Sequence, residues 1–186
     1  MEPEKRVSAT FHKVKSTLDK AHISFSICGG LAVSHHGFER YTKDVDIIVN
    51  SVNHTKATLL KNGFVEFSNE EKLDAVVDPR TKVKVDLIQA GKTLNANNSV
   101  LFPKPVNTFV SLPQLISLKL DSARAKDVGD VGELIKHNKL PRDLEINPSV
   151  KHKYEKIWDA TFGKKNMIEA FCELIKPEEL VDKLIE

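Results

Sequence analysis

Apolar positions recur along this chain with two different periods, and the place where one gives way to the other divides it. From Lys5 to Ala21, Val7, Phe11, Val14 and Leu18 are spaced by four, three and four residues, which predicts an amphipathic helix able to pack on a sheet. Ile23 to Cys28 reads as a short apolar strand, and Gly29 to His36 opens a helix that Gly37 stops. A second apolar strand runs from Val45 to Val49, then a helix from Asn53 to Asn62. Phe64 to Phe67 and Leu73 to Val77 are short strands, and Asp78-Pro79-Arg80-Thr81 marks a turn. Lys82 to Gln89 alternates Val83, Val85 and Leu87 on one face, with Asp86 on the other. A loop with Pro103 and Pro105 leads to a strand at Val106 to Val110.

From Leu112 the periodicity is helical only. Pro113 suits a first helical turn, followed by Leu115, Leu118 and Ala123. A second helix is expected from about Asp127 to His137, then a linker-like segment from Pro141 to Pro148. The remainder divides into Lys151–Phe162, Asn166–Ile175 and Pro177–Ile185, with Trp158 and Phe162 expected in the core. The pattern predicts an α/β (α+β) chain. A mixed sheet flanked by helices fills residues 1–110, and a helical C-terminal part fills residues 111–186.

At 186 residues the chain can hold one domain with a sizeable core, or a core and a helical appendage. No run approaches the ~18 consecutive apolar residues of a membrane span, and Met1 to Lys20 is too charged for a secretory signal. A cytoplasmic location with no membrane partner is expected. Cys28 and Cys172 are too few for a disulfide framework or a zinc site, and Cys28 reads as a small core residue. The net charge of +2 excludes generic polyanion binding by the molecule as a whole. Its distribution is uneven: Lys119 to Lys165 holds eleven basic against eight acidic residues, whereas Asn166 to Glu186 holds two against six. That is compatible with a nucleotide or nucleic-acid surface, or with a solvated face of mixed charge.

Asp44 and Asp46 change the picture more. They interrupt an otherwise buried strand (Val45, Ile47, Ile48, Val49), and charged groups are rarely buried without a partner. Two residues apart in a strand, they project from one face roughly 6–7 Å apart and repel each other unless a cation sits between them. Oxygen-only ligands of this kind suit Mg²⁺ or Mn²⁺; the alternative is a pair of surface carboxylates at a strand end. Gly29 and Gly30 either let the backbone approach a phosphate or form a simple turn into the helix. Asp86, between apolar neighbours, calls for a cation or a salt-bridge partner. His35 and His36, adjacent on a helix and thus about 100° apart, read as polar surface.

Gly29-Gly30, then Arg40-x-Thr42-x-Asp44-x-Asp46 and an apolar strand, resembles the first motif of the polymerase-β-like nucleotidyltransferase superfamily. The segment is most similar to its AbiEii-type branch of minimal nucleotidyltransferases, which contains toxins of bacterial toxin–antitoxin systems. The resemblance spans about Ile23 to Leu134. It implies a third acid on a later strand, matched by Asp86 in Lys84-Val85-Asp86-Leu87-Ile88, and a helical lysine followed by a Lys-Asp pair, matched from Lys119 to Asp130. Most of the superfamily has Gly-Ser where this chain has Gly-Gly.

The implied function is nucleotidyl transfer from an NTP to an acceptor hydroxyl with Mg²⁺ (or Mn²⁺). Asp44, Asp46 and Asp86 are then the metal ligands and catalytic acids, and Asp86 activates the acceptor. Gly29, Gly30, Arg40, Thr42 and Lys119 would hold the nucleotide. Salt-bridge or capping roles would equally account for Arg40 and Thr42. Asp127 and Asp130 are additional candidates, or members of ion pairs with Arg124 and Lys126 in their own helical region. The implied acceptor is tRNA or a protein, with an antitoxin as a further partner. A small antibiotic acceptor is the competing reading, and a non-catalytic partner or nucleotide sensor is a third.

Overall fold

Pro3–Lys20 forms α1, with Pro3 in the first turn, and its apolar stripe buries Val7, Val14 and Leu18. The computed structural model describes residues 2–67 and 74–163. These divide into two compact units. The first comprises the described residues up to His35 together with Glu39–Lys92 and Phe102–Val110; the second comprises His36–Phe38, Thr93–Leu101 and the described residues from Ser111 onward.

The first unit is a mixed five-stranded sheet with flanking helices. Its strands are β1 (Phe25–Ile27), β2 (Asp44–Val49), β3 (Val65–Glu66), β4 (Ala75–Val77) and β5 (Lys84–Gln89), in the order β1-β2-β5-β4-β3. The central pair β2 and β5 is parallel; every other pairing is antiparallel. Besides α1, the unit has α2 (Gly29–His35) and α3 (Val52–Lys61). Val45, Ile47 and Val49 of β2 join Val85 and Leu87 of β5 in one core with Val7, Val14 and Leu18 of α1 and Leu59 of α3. Because side chains alternate across a strand, Asp44, Asp46, Lys84 and Asp86 are carried by the opposite face. Cys28 is buried, as the apolar strand implied.

The expected strand at Val106–Val110 is reduced to a single parallel bridge between Phe109 and Ile27. Two hydrogen bonds hold it: Ile27 N–H donates to Thr108 O at 2.7 Å, and Val110 N–H donates to Ile27 O at 3.0 Å. Pro103 and Pro105 just upstream have no N–H to extend a ladder, and Val106 is 85% exposed. Of the expected Leu73–Val77 strand, Leu73 lies outside the described residues.

The second unit carries α4 (Leu112–Ser122), α5 (Ala125–Asn138) and α6 (Lys151–Thr161). Leu115, Ile116, Leu120, Leu134, Ile135 and Tyr154 are its largest fully buried side chains. The segment from Pro141, read as a linker, is tied down. The Tyr154 hydroxyl donates to Pro141 O at 2.7 Å, and Trp158 Nε1 donates to Leu140 O at 2.8 Å. Phe162, expected in the core, is 46% exposed, because it is the residue capping α6 and has left the buried stripe. The helices expected at Asn166–Ile175 and Pro177–Ile185 lie outside the described residues. Among the described residues no helix is long and apolar enough to cross a membrane.

Candidate metal centre

The parallel register of β2 and β5 builds the site. It sets Asp44 beside Lys84 and Asp46 beside Asp86, so two neighbouring strands present three carboxylates and one ammonium on one face. One oxygen from each of Asp44, Asp46 and Asp86 lies within 4.8 Å of the other two. The three acids picked out in the sequence are therefore brought together.

Two glycines make room for them. Gly29 has φ +60°, in the left-handed region, and a Cβ there would overlap the Asp46 carboxylate. At Gly30 a Cβ would lie 2.7 Å from both Cβ and Oγ1 of Thr42. Thr42 Oγ1 in turn donates to Asp44 Oδ1 at 2.9 Å. The Gly-Gly pair thus has a packing role: it seats one metal-ligand candidate directly and the other through Thr42. A serine at position 30 would compete with Thr42 for the same space.

Lys84 is the member that sequence reasoning left without a role. Its Nζ lies 2.9 Å from Asp86 Oδ2, with the two side chains 27% and 18% exposed. The available signal was its position two residues before Asp86, hence on the same face. Burial pushes the Asp86 carboxyl above its ordinary range; Lys84 opposes the shift and the Asp44 charge adds to it. Burial lowers Lys84 itself, but the hydrogen bond and charge of Asp86, with the charges of Asp44 and Asp46, outweigh that and raise it. Asp86 Oδ1 is buried and has no hydrogen-bond partner among the described residues. A buried, unsatisfied carboxylate oxygen costs free energy unless something binds it. Together with its all-oxygen donor set, this makes the cluster fit a hard divalent cation such as Mg²⁺ or Mn²⁺.

Arg40 and Thr42 line a cavity of about 550 Å³ in the same unit, together with Phe11, Leu31, Tyr41 and Phe109. The His35 ring lies flat on Phe109, with centroids 3.9 Å apart.

Lys119 has partners other than the expected triphosphate. In the second unit it is 5% exposed, and its Nζ donates to Asp127 Oδ1 at 2.8 Å and to Asp130 Oδ2 at 2.6 Å. Ser122 Oγ and Arg124 Nε also donate to Asp127, at 2.5 and 2.6 Å. Burial pushes the Asp127 carboxyl up, but Lys119, Ser122 and Arg124 together hold it below its ordinary value. A buried ammonium enclosed by carboxylates ties α4 to α5. The ion pairs of Asp127 and Asp130 thus reach across to α4, with Arg124–Asp127 as the local i,i+3 pair.

No family model matches this chain, and no curated protein matches it by sequence. Solved structures do. An antigenic nucleotidyltransferase-like protein from Paracoccidioides brasiliensis shares 16% identity over 95% of this chain and 96% of its own, with a TM-score of 0.55. This chain has a nucleotidyltransferase fold. JHP933 from Helicobacter pylori matches at 14% identity over 100% of this chain and 92% of its own, with a TM-score of 0.49. The antibiotic-resistance factor ANT(2'')-Ia matches at 13% identity over 92% of each chain, with a TM-score of 0.45.

Proposed function

We propose that the chain is a metal-dependent nucleotidyltransferase. The observation that carries this reading is the convergence of Asp44, Asp46 and Asp86 to within 4.8 Å on one face of a nucleotidyltransferase-type sheet. Asp44 and Asp46 would hold Mg²⁺, with Asp86 Oδ1 as the third ligand oxygen. When bound, the ion neutralises charge on the transferring phosphate and orients it for displacement.

The chain's own residues do the rest. Asp86 takes the proton of the acceptor hydroxyl as its oxygen forms a bond to the α-phosphorus; the bond from that phosphorus to the bridging β-phosphate oxygen breaks, and pyrophosphate leaves. Thr42 fixes the Asp44 carboxylate through its 2.9 Å hydrogen bond, and Gly29 leaves the space in which Asp46 sits. Arg40, on the wall of the 550 Å³ cavity, supplies positive charge for the nucleotide. Lys119, enclosed by Asp127 and Asp130, is assigned to the fold and not to the triphosphate.

The AbiEii-type resemblance supports a macromolecular acceptor, tRNA or protein, and an antitoxin as partner. The cavity beside Arg40 and Thr42 favours a second reading, a small-molecule acceptor, since its volume falls in the range typical of ligand pockets. One experiment tests both. Each of the four NTPs, α-labelled, is incubated with protein and Mg²⁺ plus total tRNA, cell lysate or an aminoglycoside panel. Label entering one of these pools identifies the acceptor class. No transfer from any NTP, and no rise in melting temperature with Mg²⁺ and NTP together, refutes the enzymatic reading.

A further inference from the structure

The face that carries the three carboxylates carries a fourth charge, and its placement follows from the same two-residue period. Lys84 stands two residues before Asp86 on β5 and directly beside Asp44 in the parallel register. Resting on the metal-site reading above, we propose that Lys84 is a tethered counter-ion: it occupies Asp86 while no divalent ion is bound, and it competes with that ion for the carboxylate.

The geometry supports each half of this. Lys84 Nζ sits 2.9 Å from Asp86 Oδ2 and also interacts electrostatically with Asp44 and Asp46, so its positive charge serves all three acids. Three converging carboxylates without a cation repel one another, and an ammonium delivered by the chain itself relieves that repulsion. The metal-free protein then has no need of an ion to fold. Lys84 satisfies only Oδ2, and Asp86 Oδ1 is left buried without a partner among the described residues. An incoming ion therefore finds Oδ1, while the ammonium remains on the other oxygen of the same group. Two cations sharing one partly buried carboxylate repel strongly at such separations. Lysine suits the role because its charge is compact and its stem flexible. At 27% exposure its head can withdraw along the Phe67 ring, whose centroid is 5.5 Å away.

The test is Mn²⁺ binding, read from the spin-resonance signal of the free ion, beside melting in EDTA, for wild type, Lys84→Met, Lys84→Gln and Lys84→Arg. Removal of the charge is expected to tighten Mn²⁺ binding by about tenfold and to lower the melting temperature in EDTA. Lys84→Arg, which keeps the charge on a fork able to span both carboxylate oxygens, should bind Mn²⁺ no more tightly than wild type. Lys84→Gln repeats the comparison with a polar replacement, should the methionine variant fail to fold. Unchanged or weaker Mn²⁺ binding in the neutral variants overturns the counter-ion role while leaving the metal site standing. So does melting in EDTA at or above the wild-type temperature. If none of the four proteins binds Mn²⁺ at millimolar concentration, the metal reading falls, and the inference with it.

Discussion

Lys119→Met separates a structural lysine from a substrate-binding one. The ammonium lies 2.8 and 2.6 Å from two carboxylates, with side chains 6%, 2% and 5% exposed for Lys119, Asp127 and Asp130. Taking one partner out of a buried ion cluster leaves uncompensated charge in a poorly solvated place, which typically costs about 3–5 kcal/mol. Asp127 keeps Ser122 and Arg124 as donors, so the lower end, about 3 kcal/mol, is expected. Urea denaturation measures it, because the single tryptophan, Trp158, lies on α6 in the same unit and reports on its unfolding by fluorescence. With a slope of about 1–3 kcal/mol per molar urea, a loss of that size moves the midpoint down by roughly 1–3 M. Lys119→Met combined with Asp130→Asn removes one of the two carboxylate charges that face the ammonium and should recover part of the loss. A single variant that unfolds within about 1 kcal/mol of wild type would refute the argument and return Lys119 to the nucleotide.

Three more outcomes follow from the same geometry. Asp46→Asn should lower nucleotidyl transfer by several orders of magnitude and abolish the Mg²⁺-dependent rise in melting temperature. In EDTA it should melt at or slightly above wild type, since carboxylate repulsion is reduced; a large drop in EDTA with transfer intact would sink the metal assignment. Gly29→Ala should cost about 1–3 kcal/mol and weaken Mn²⁺ binding, because φ is +60° and the new methyl group overlaps the Asp46 carboxylate; a thermal melt and a Mn²⁺ titration check both. Asp127 is held below its ordinary value in the fold, so it binds fewer protons folded than unfolded. Its contribution is complete above the unfolded value of about 3.9 and is lost as pH falls through the folded one. Trp158 fluorescence should therefore show stability falling below about pH 4, with that acid limb flattened in Asp127→Asn.

The parts legible in the sequence were those that a short-range period determines. The stripe of α1, the alternation of β5 and the paired projection of Asp44 and Asp46 all depend on neighbours a few residues away. Asp86 could be expected on the face opposite Val85 and Leu87 for the same reason. What brings it to Asp46 is strand order and register, which no local pattern encodes. Lys84 went unread because a lysine at a strand start is common, and its meaning comes from Asp44 on the neighbouring strand. The ion cluster around Lys119 could not be read locally either, because burial is a tertiary property and its two carboxylates come from the next helix. The strand at Val106–Val110 was over-read because β-branched composition says nothing of whether backbone donors meet acceptors across the gap.

The parallel pairing of β2 with β5 has a consequence for how the molecule comes into being. Parallel neighbours cannot form a hairpin, and α3, β3 and β4 must all be threaded before Asp86 can lie beside Asp46. The carboxylate cluster is thus a product of high contact order, available only after the slow, non-local step of assembly. A chain emerging from the ribosome would display Asp44 and Asp46 well before their third partner exists. Any activity that depends on the triad is withheld until the sheet has closed around it.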